Sequence, residues 1–186
     1  MARAYILFFK PINPDTATSC LHACRGMMGE RDANGMVLWD DLLVTMSSGG
    51  GDIIPALGMY NEMKGLEAKV QTHNAGAIDS AAILPFMAGS VRTASAASAF
   101  FFHQLQWTFA AGSVTMTTVS DAVAWLNRYE GIMADVVAAN STLKRAEVLR
   151  MMKQGTSVDS ETALKKGLIH RIEELATPLG ARTYQA

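Results

Sequence analysis

Cysteine is scarce in this chain: Cys20 and Cys24 are the only two among 186 residues. They stand four apart on one face of an expected helix. A metal site needs more ligands than that, and His22 between them points elsewhere. They therefore read as small core residues, and neither a metal nor a cofactor is expected. Charge is also sparse, with a formal net of −1 and no block of one sign. That excludes a nucleic acid or an anionic membrane as the main partner. No apolar run approaches the roughly 18 residues of a membrane span. No low-complexity tract, long linker or internal repeat is found. The stretch Met1–Lys10 is too short for a signal peptide, and its apolar part reads as a first strand. The expected compartment is the cytoplasm.

What is present is a core-forming sequence. Hydrophobic residues make up 49% and methionines number 12. Such a chain is long enough for one domain over residues 1–186 with a real core. Strand-like and helix-like stretches alternate, which predicts an α/β fold. Ala4–Phe9 reads as a strand. Asn13-Pro14 opens a helix running to about Met28, with Asn as cap and Pro in the first turn. The next strand lies within Met36–Thr45. Ser47-Ser48-Gly49-Gly50-Gly51 is a glycine turn, and Asp52 can cap the helix that Gly65 ends. Ala68–His73 reads as a strand, Asn74–Asp79 as a turn and Ser80–Met87 as a helix start. Val91–Thr93 and Ala99–His103 are short strands, followed by a polar loop, Gln104–Thr117. Val119–Ala139 is the longest helical pattern. Leu143–Gln154 is a further helix, Glu161–Lys166 a short helical turn and Leu168–Ile172 a final strand.

Three features fall at strand ends: the glycine turn, Gly76-Ala77-Ile78-Asp79-Ser80, and His103. In open α/β sheets, ligands gather beyond the carboxyl ends of the strands. A serine hydroxyl needs a base to become a nucleophile, and a histidine is the usual one. A serine at a helix start also lies beside free backbone N–H groups, which hold an oxyanion. Each feature alone has an ordinary reading, a helix cap or a half-buried histidine; their order is what points to chemistry. The glycine run lacks the lysine and spacing of a phosphate loop. Asp79, next to Ser80, is expected to point away from it. His73 reads as a hydrogen-bonded strand end and His170 as a surface residue. Trp107 and Phe109 either shape a substrate pocket or bury at a contact between subunits.

These motifs resemble the ClpP peptidase family over about Ala4–Ile172. Ser47–Gly51 resembles its Asn-Ser-Pro-Gly-Gly turn, with Gly49 in place of proline. Met59-Tyr60-Asn61-Glu62-Met63 resembles its Ile-Tyr-Asp-x-Met helix. Gly76–Ser80 matches the Gly-x-x-x-Ser nucleophile turn, and Phe102-His103-Gln104 resembles Ile-His-Gln. Ala163–Ile172 resembles the closing Ala-x-x-x-Gly-Leu-Ile-Asp-x-Ile. The resemblance implies a crotonase-like α/β fold of ββα units with a protruding handle helix at about 119–139. It implies peptide hydrolysis by Ser80 and His103, with Gly51 and Ala81 as oxyanion donors. It implies unfolded-protein substrates, heptameric rings stacked in pairs, and an AAA+ unfoldase partner.

The sequence departs from the family at the third member of the triad. The family's aspartate falls near Gly155-Thr156, where neither residue is an acid. Asp159 is the nearest acid, either as that orienter or as a helix cap. A backbone carbonyl or Thr156 are the other candidates to orient His103. The family's N-terminal axial-loop segment also has no counterpart before Tyr5. Three alternatives follow: an inactive structural subunit, a capsid maturation protease of the same fold, or a crotonase-like enzyme acting on acyl-CoA.

Overall fold

The computed structural model of the chain describes residues 3–178, 181 and 183–186. Met1 and Ala2, part of the stretch read for a leader, lie outside the described residues. Eight strands and six helices follow in the order β1 (Arg3–Phe8), α1 (Pro14–Gly29), β2 (Asp41–Ser48), α2 (Ile53–Lys64), β3 (Lys69–Asp79), α3 (Ile83–Met87), β4 (Val91–Ala94), β5 (Ala99–Phe102), α4 (Met116–Ala139), α5 (Arg145–Gln154), β6 (Thr156–Asp159), α6 (Ser160–Lys165), β7 (Arg171–Ile172) and β8 (Thr183–Gln185). A 3₁₀ turn, Ser80–Ala82, leads into α3.

The strands form one sheet in the order β6-β5-β3-β2-β1-β8, with β4 between β3 and β7. The pairings are parallel, except that β5 and β6 run antiparallel. β2 is buried at nearly every position, as an inner strand of a parallel sheet covered on both faces should be. The core joins Ile6, Phe8, Val44 and Met46 to Met59, Met63, Phe86 and Phe100. Cys20 and Cys24 are fully buried within it, as small core residues.

α1 starts where Asn13 and Pro14 predict. The Asn13 side chain accepts from Thr16 N–H, and the Thr16 hydroxyl accepts in return from Asn13 N–H. α4 is half packed and half free. Met133, Ala134 and Val137 are buried, whereas Met116 and Val123 are 83% and 51% exposed. Its first half therefore protrudes from the body. No helix among the described residues is long and apolar enough to cross a membrane.

Several expected boundaries move. Asn74–Asp79 is not a turn; β3 runs through it. The strand changes partner there, from β4 at Gln71–Asn74 to β5 at Ala77–Asp79. Asn74 makes this possible. Its side-chain amide donates to Ala99 O and its carbonyl accepts from Gly76 N–H, so the backbone is satisfied across the change. The expected strand Leu168–Ile172 shrinks to two residues. The Leu168 N–H instead closes the end of α6 on Ala163 O at 2.9 Å. β6 and β8 have no counterpart in the sequence reading.

Arg92 is 5% exposed, yet no carboxylate among the described residues pairs with it. Its guanidinium donates to the carbonyls of Gly89, Asn140, Gly167 and Leu168. Those carbonyls stand at or just past the ends of α3, α4 and α6. Helix C-termini carry partial negative charge and leave carbonyls unpaired, so three of them share one cation.

His73 is 1% exposed, between the hydroxyls of Thr93 at Nδ1 (2.8 Å) and Ser95 at Nε2 (3.1 Å). Burial lowers its pKa, opposed by the nearby charges of Glu173 and Glu174. The unfolded chain therefore binds this proton more readily than the native one. Stability should be undiminished above about pH 6.5 and fall as pH drops below it. Chemical denaturation across pH 7 to 5 should give a steeper loss for the native chain than for His73→Gln. Equal slopes would assign the acid sensitivity to other groups.

Candidate active site

The cleft begins with a glycine turn that leaves β2. The Ser48 hydroxyl donates to Lys10 O and accepts from Gly50 N–H, tying the turn to the chain after β1. Two backbone bonds at Ile12 complete the tie, from Ile12 N–H to Gly50 O (2.8 Å) and from Asp52 N–H to Ile12 O (2.9 Å). Gly50 and Gly51 have φ of 87° and 141°. A Cβ on Gly51 would stand 2.1 Å from Ile12 O, and one on Gly50 would stand 2.7 Å from the Ser80 Cβ. Only glycine fits at either place.

Ser80 follows the last residue of β3. Its φ of 55° is the only positive value at a non-glycine among the described residues. This backbone costs roughly 1–2 kcal/mol and belongs to strained functional turns. It projects the side chain where strand gives way to helix, as in a nucleophile elbow. Ser80 is 7% exposed. Ala81 is the second residue of the 3₁₀ turn, and Asp79 ahead of it makes no side-chain cap bond. A helix start of this kind leaves backbone N–H groups for an incoming oxygen. Gly51 N–H, across the gap, has no acceptor among the described residues.

His103 follows β5 directly, its ring centroid 5.5 Å from that of Phe101. Its Nδ1 lies 2.7 Å from Gln104 O. A carbonyl oxygen has no proton to give, so Nδ1 carries one and Nε2 of the neutral ring is bare. That is the tautomer a general base for a serine requires. Ser80, His103 and Gly51 line one cavity of about 280 Å³, together with Asp52, Ile53 and Trp125. No hydrogen bond joins Ser80 to His103 among the described residues; the two face the same space with the bond unmade. Such bonds are often open until substrate is bound.

Trp125, from α4, packs edge-on to Trp107 at 5.2 Å and lies 4.5 Å from the Tyr129 ring. Trp107 thus supports a wall of the cleft. Phe109 lies against Trp107 at 6.5 Å, one step further out.

The acids are placed differently from the expectation. Asp159 pairs with Ala99, at the far end of β5 from His103, about 13 Å along a strand of four residues. Its carboxylate accepts from Thr162 N–H at 2.7 Å and caps α6. The side-chain and backbone hydrogen bonds with Thr162 lower its pKa. Asp159 is therefore a helix cap rather than the partner of His103. Thr156, beside Phe102 in the ladder, turns its hydroxyl to Met151 O and is also occupied elsewhere. Gly155, one residue beyond, carries φ 64° as the cap of α5, and a Cβ there would meet the Phe101 ring. Asp79, ahead of Ser80, is the acid on the strand beside β5. Burial raises its pKa, opposed by the His103 charge and a hydrogen bond with the Phe101 backbone. β3–β5 pairing sets Asp79 beside Phe101, two residues before His103. His170, exposed as expected, accepts from Arg92 N–H.

With this geometry in place, the comparisons are specific. The Clp protease family matches residues 37–175, well over half of the chain and including Ser80 and His103. The chain belongs to the Clp protease family. A solved structure of a mutant ClpP1 from Listeria monocytogenes is similar to this Clp-family chain over 92% of it and 91% of that chain, with a TM-score of 0.77 and 15% identity. At that identity the likeness establishes the fold, which is ClpP/crotonase-like. No curated protein matches the chain.

Three variants test the placements in this Clp-family site. Gly51→Ala should lose any peptidase activity and destabilise the chain by about 2–3 kcal/mol in urea denaturation, since its Cβ meets backbone. Asp159→Ala should cost about 1 kcal/mol as a lost cap. Asp159→Asn should cost almost nothing, and neither change should alter the reactivity of Ser80 with a fluorophosphonate. Loss of labelling in Asp159→Asn would return that residue to the site.

Proposed function

We propose that this chain is a serine endopeptidase subunit of the Clp type, with Ser80 as nucleophile and His103 as general base. The observation that carries the reading is the strained Ser80 turn, packed on Gly50 and opening on the same cleft as His103. Ser80 Oγ attacks the peptide carbonyl as His103 Nε2 takes its proton. Gly51 and Ala81 N–H groups receive the oxyanion. The imidazolium then protonates the leaving amine, and water hydrolyses the acyl-enzyme by the reverse path. Gln104 O does what a carboxylate does in a complete triad, holding Nδ1–H and the orientation of the ring. It carries only a partial charge, so it stabilises the imidazolium less. Removing the carboxylate of a complete triad costs up to about 10⁴ in rate, so slow turnover is expected here.

Self-assembly into rings through the protruding half of α4 goes with this reading, as does an unfolded-protein substrate in the cytoplasm, delivered by an AAA+ unfoldase. The exposed Met116 and Val123 support assembly.

A fluorophosphonate probe should label Ser80 in the full chain. Ser80→Ala should abolish labelling and lower peptide cleavage by at least about 10³, with the fold retained. Cleavage that survives Ser80→Ala overturns the reading. A second reading, a non-catalytic structural subunit, is favoured by one observation, the lack of a carboxylate hydrogen-bonded to His103 among the described residues. A complete absence of labelling in assembled protein would select it.

A further inference from the structure

Asp52 lines the cleft beside Ser80, His103 and Trp125. It is the cap residue of α2, where an aspartate ordinarily accepts a backbone N–H two or three residues on. Its backbone is extended, at φ −70° and ψ 124°, yet the side chain makes no cap bond. Among the described residues the carboxylate has no ion pair and no hydrogen bond. It is exposed to the cleft and unspent.

Its position has an electrostatic consequence. Asp52 follows Gly51 directly, so a full negative charge sits one residue from an N–H assigned to the oxyanion. Charge of the same sign develops on the substrate oxygen in the transition state, and the two repel. A helix N-terminus offsets part of that charge, but only about half a unit. Among the described residues no lysine or arginine lines the cleft to offset the rest. Neutral substrates therefore meet a handicap that a cationic substrate removes. Trp125, held by Trp107 and Tyr129, lines the same cleft, and tryptophan is the ring type that attracts cations best.

We propose that Asp52 selects peptides with a lysine or arginine beside the scissile bond, a preference that rests on Ser80 being the nucleophile of this cleft. The basic side chain pairs with the Asp52 carboxylate and cancels its repulsion of the oxyanion. Asp52 is a specificity determinant in this assignment; it moves no proton.

The test compares two fluorogenic peptides, acetylated at the N-terminus so that no α-amino group supplies the charge. They differ only in lysine or norleucine next to the cleaved bond. The native chain should show a kcat/KM for the lysine peptide at least about tenfold higher, and the ratio should shrink with added salt. In Asp52→Asn, which keeps an equally good cap residue, the ratio should fall to within about twofold of one. A ratio near one in the native chain, or a preference retained by Asp52→Asn, overturns the proposal. Binding of the same peptides to Ser80→Ala, with and without Asp52→Asn, reads the preference without cleavage. A charge preference in binding with no cleavage by the native chain would sink Ser80 as nucleophile and leave Asp52 as the cation subsite. Cleavage without preference would do the reverse.

Discussion

The cleft depends on a backbone approach too close for any side chain. The glycine turn after β2 is clamped to Ile12 on one side and pressed on Ser80 and Ala81 on the other. A methyl group at Gly50 or Gly51 would push one of these segments away. The separation between Gly51 N–H and the Ser80 turn would then change, and with it the space for a tetrahedral oxygen. Preorganised donors act only if they need not move as charge develops, and rigid backbone gives them that property. The strain at Ser80 is held by the same contacts, since an isolated serine would relax from a φ of 55°.

Charge in the molecule is arranged with few direct pairs near the chemistry. Arg92 is neutralised by carbonyls at three helix ends rather than by an acid, which fixes α3, α4 and α6 to one another. His103 is held by the carbonyl of its own neighbour. Asp79 stands on the adjacent strand, where burial raises its pKa. Asp52 stands free at the oxyanion side. A Clp-family site without the usual acid thus keeps a correct tautomer but less charge stabilisation behind it. The electrostatic burden at the front of the cleft falls on whatever the substrate brings.

Local chemistry made much of this legible. Asn13-Pro14, the glycine turn and the Gly76–Ser80 segment carry their meaning in residues a few positions apart, so caps, turns and the serine could be named from the chain alone. Asn74–Asp79 misled because Asn, Gly and Asp ordinarily punctuate. There the strand continues only because Asn74 bonds to β5, a partner 25 residues away. β6 escaped notice because four residues show no periodicity; it exists through its pairing with β5. The role of Asp159 turned on the same pairing, since register alone sets it at the end of β5 remote from His103.

The α/β class, the nucleophile–base candidates Ser80 and His103, and the lack of an acid at Gly155-Thr156 are all legible in the chain alone. Those depend on residue types and on spacing along the chain. Which groups meet follows from the folded chain: Gln104 O on Nδ1 of His103, Asp79 beside Phe101, Asp159 on α6, and Asp52 unpaired in the cleft among the described residues. Such contacts follow from strand register and from the close approach of distant backbones, which spacing along a chain does not encode. Asp52 is the clearest case, because its sequence context reads as an ordinary helix cap and only the unmade bond leaves its charge to the cleft.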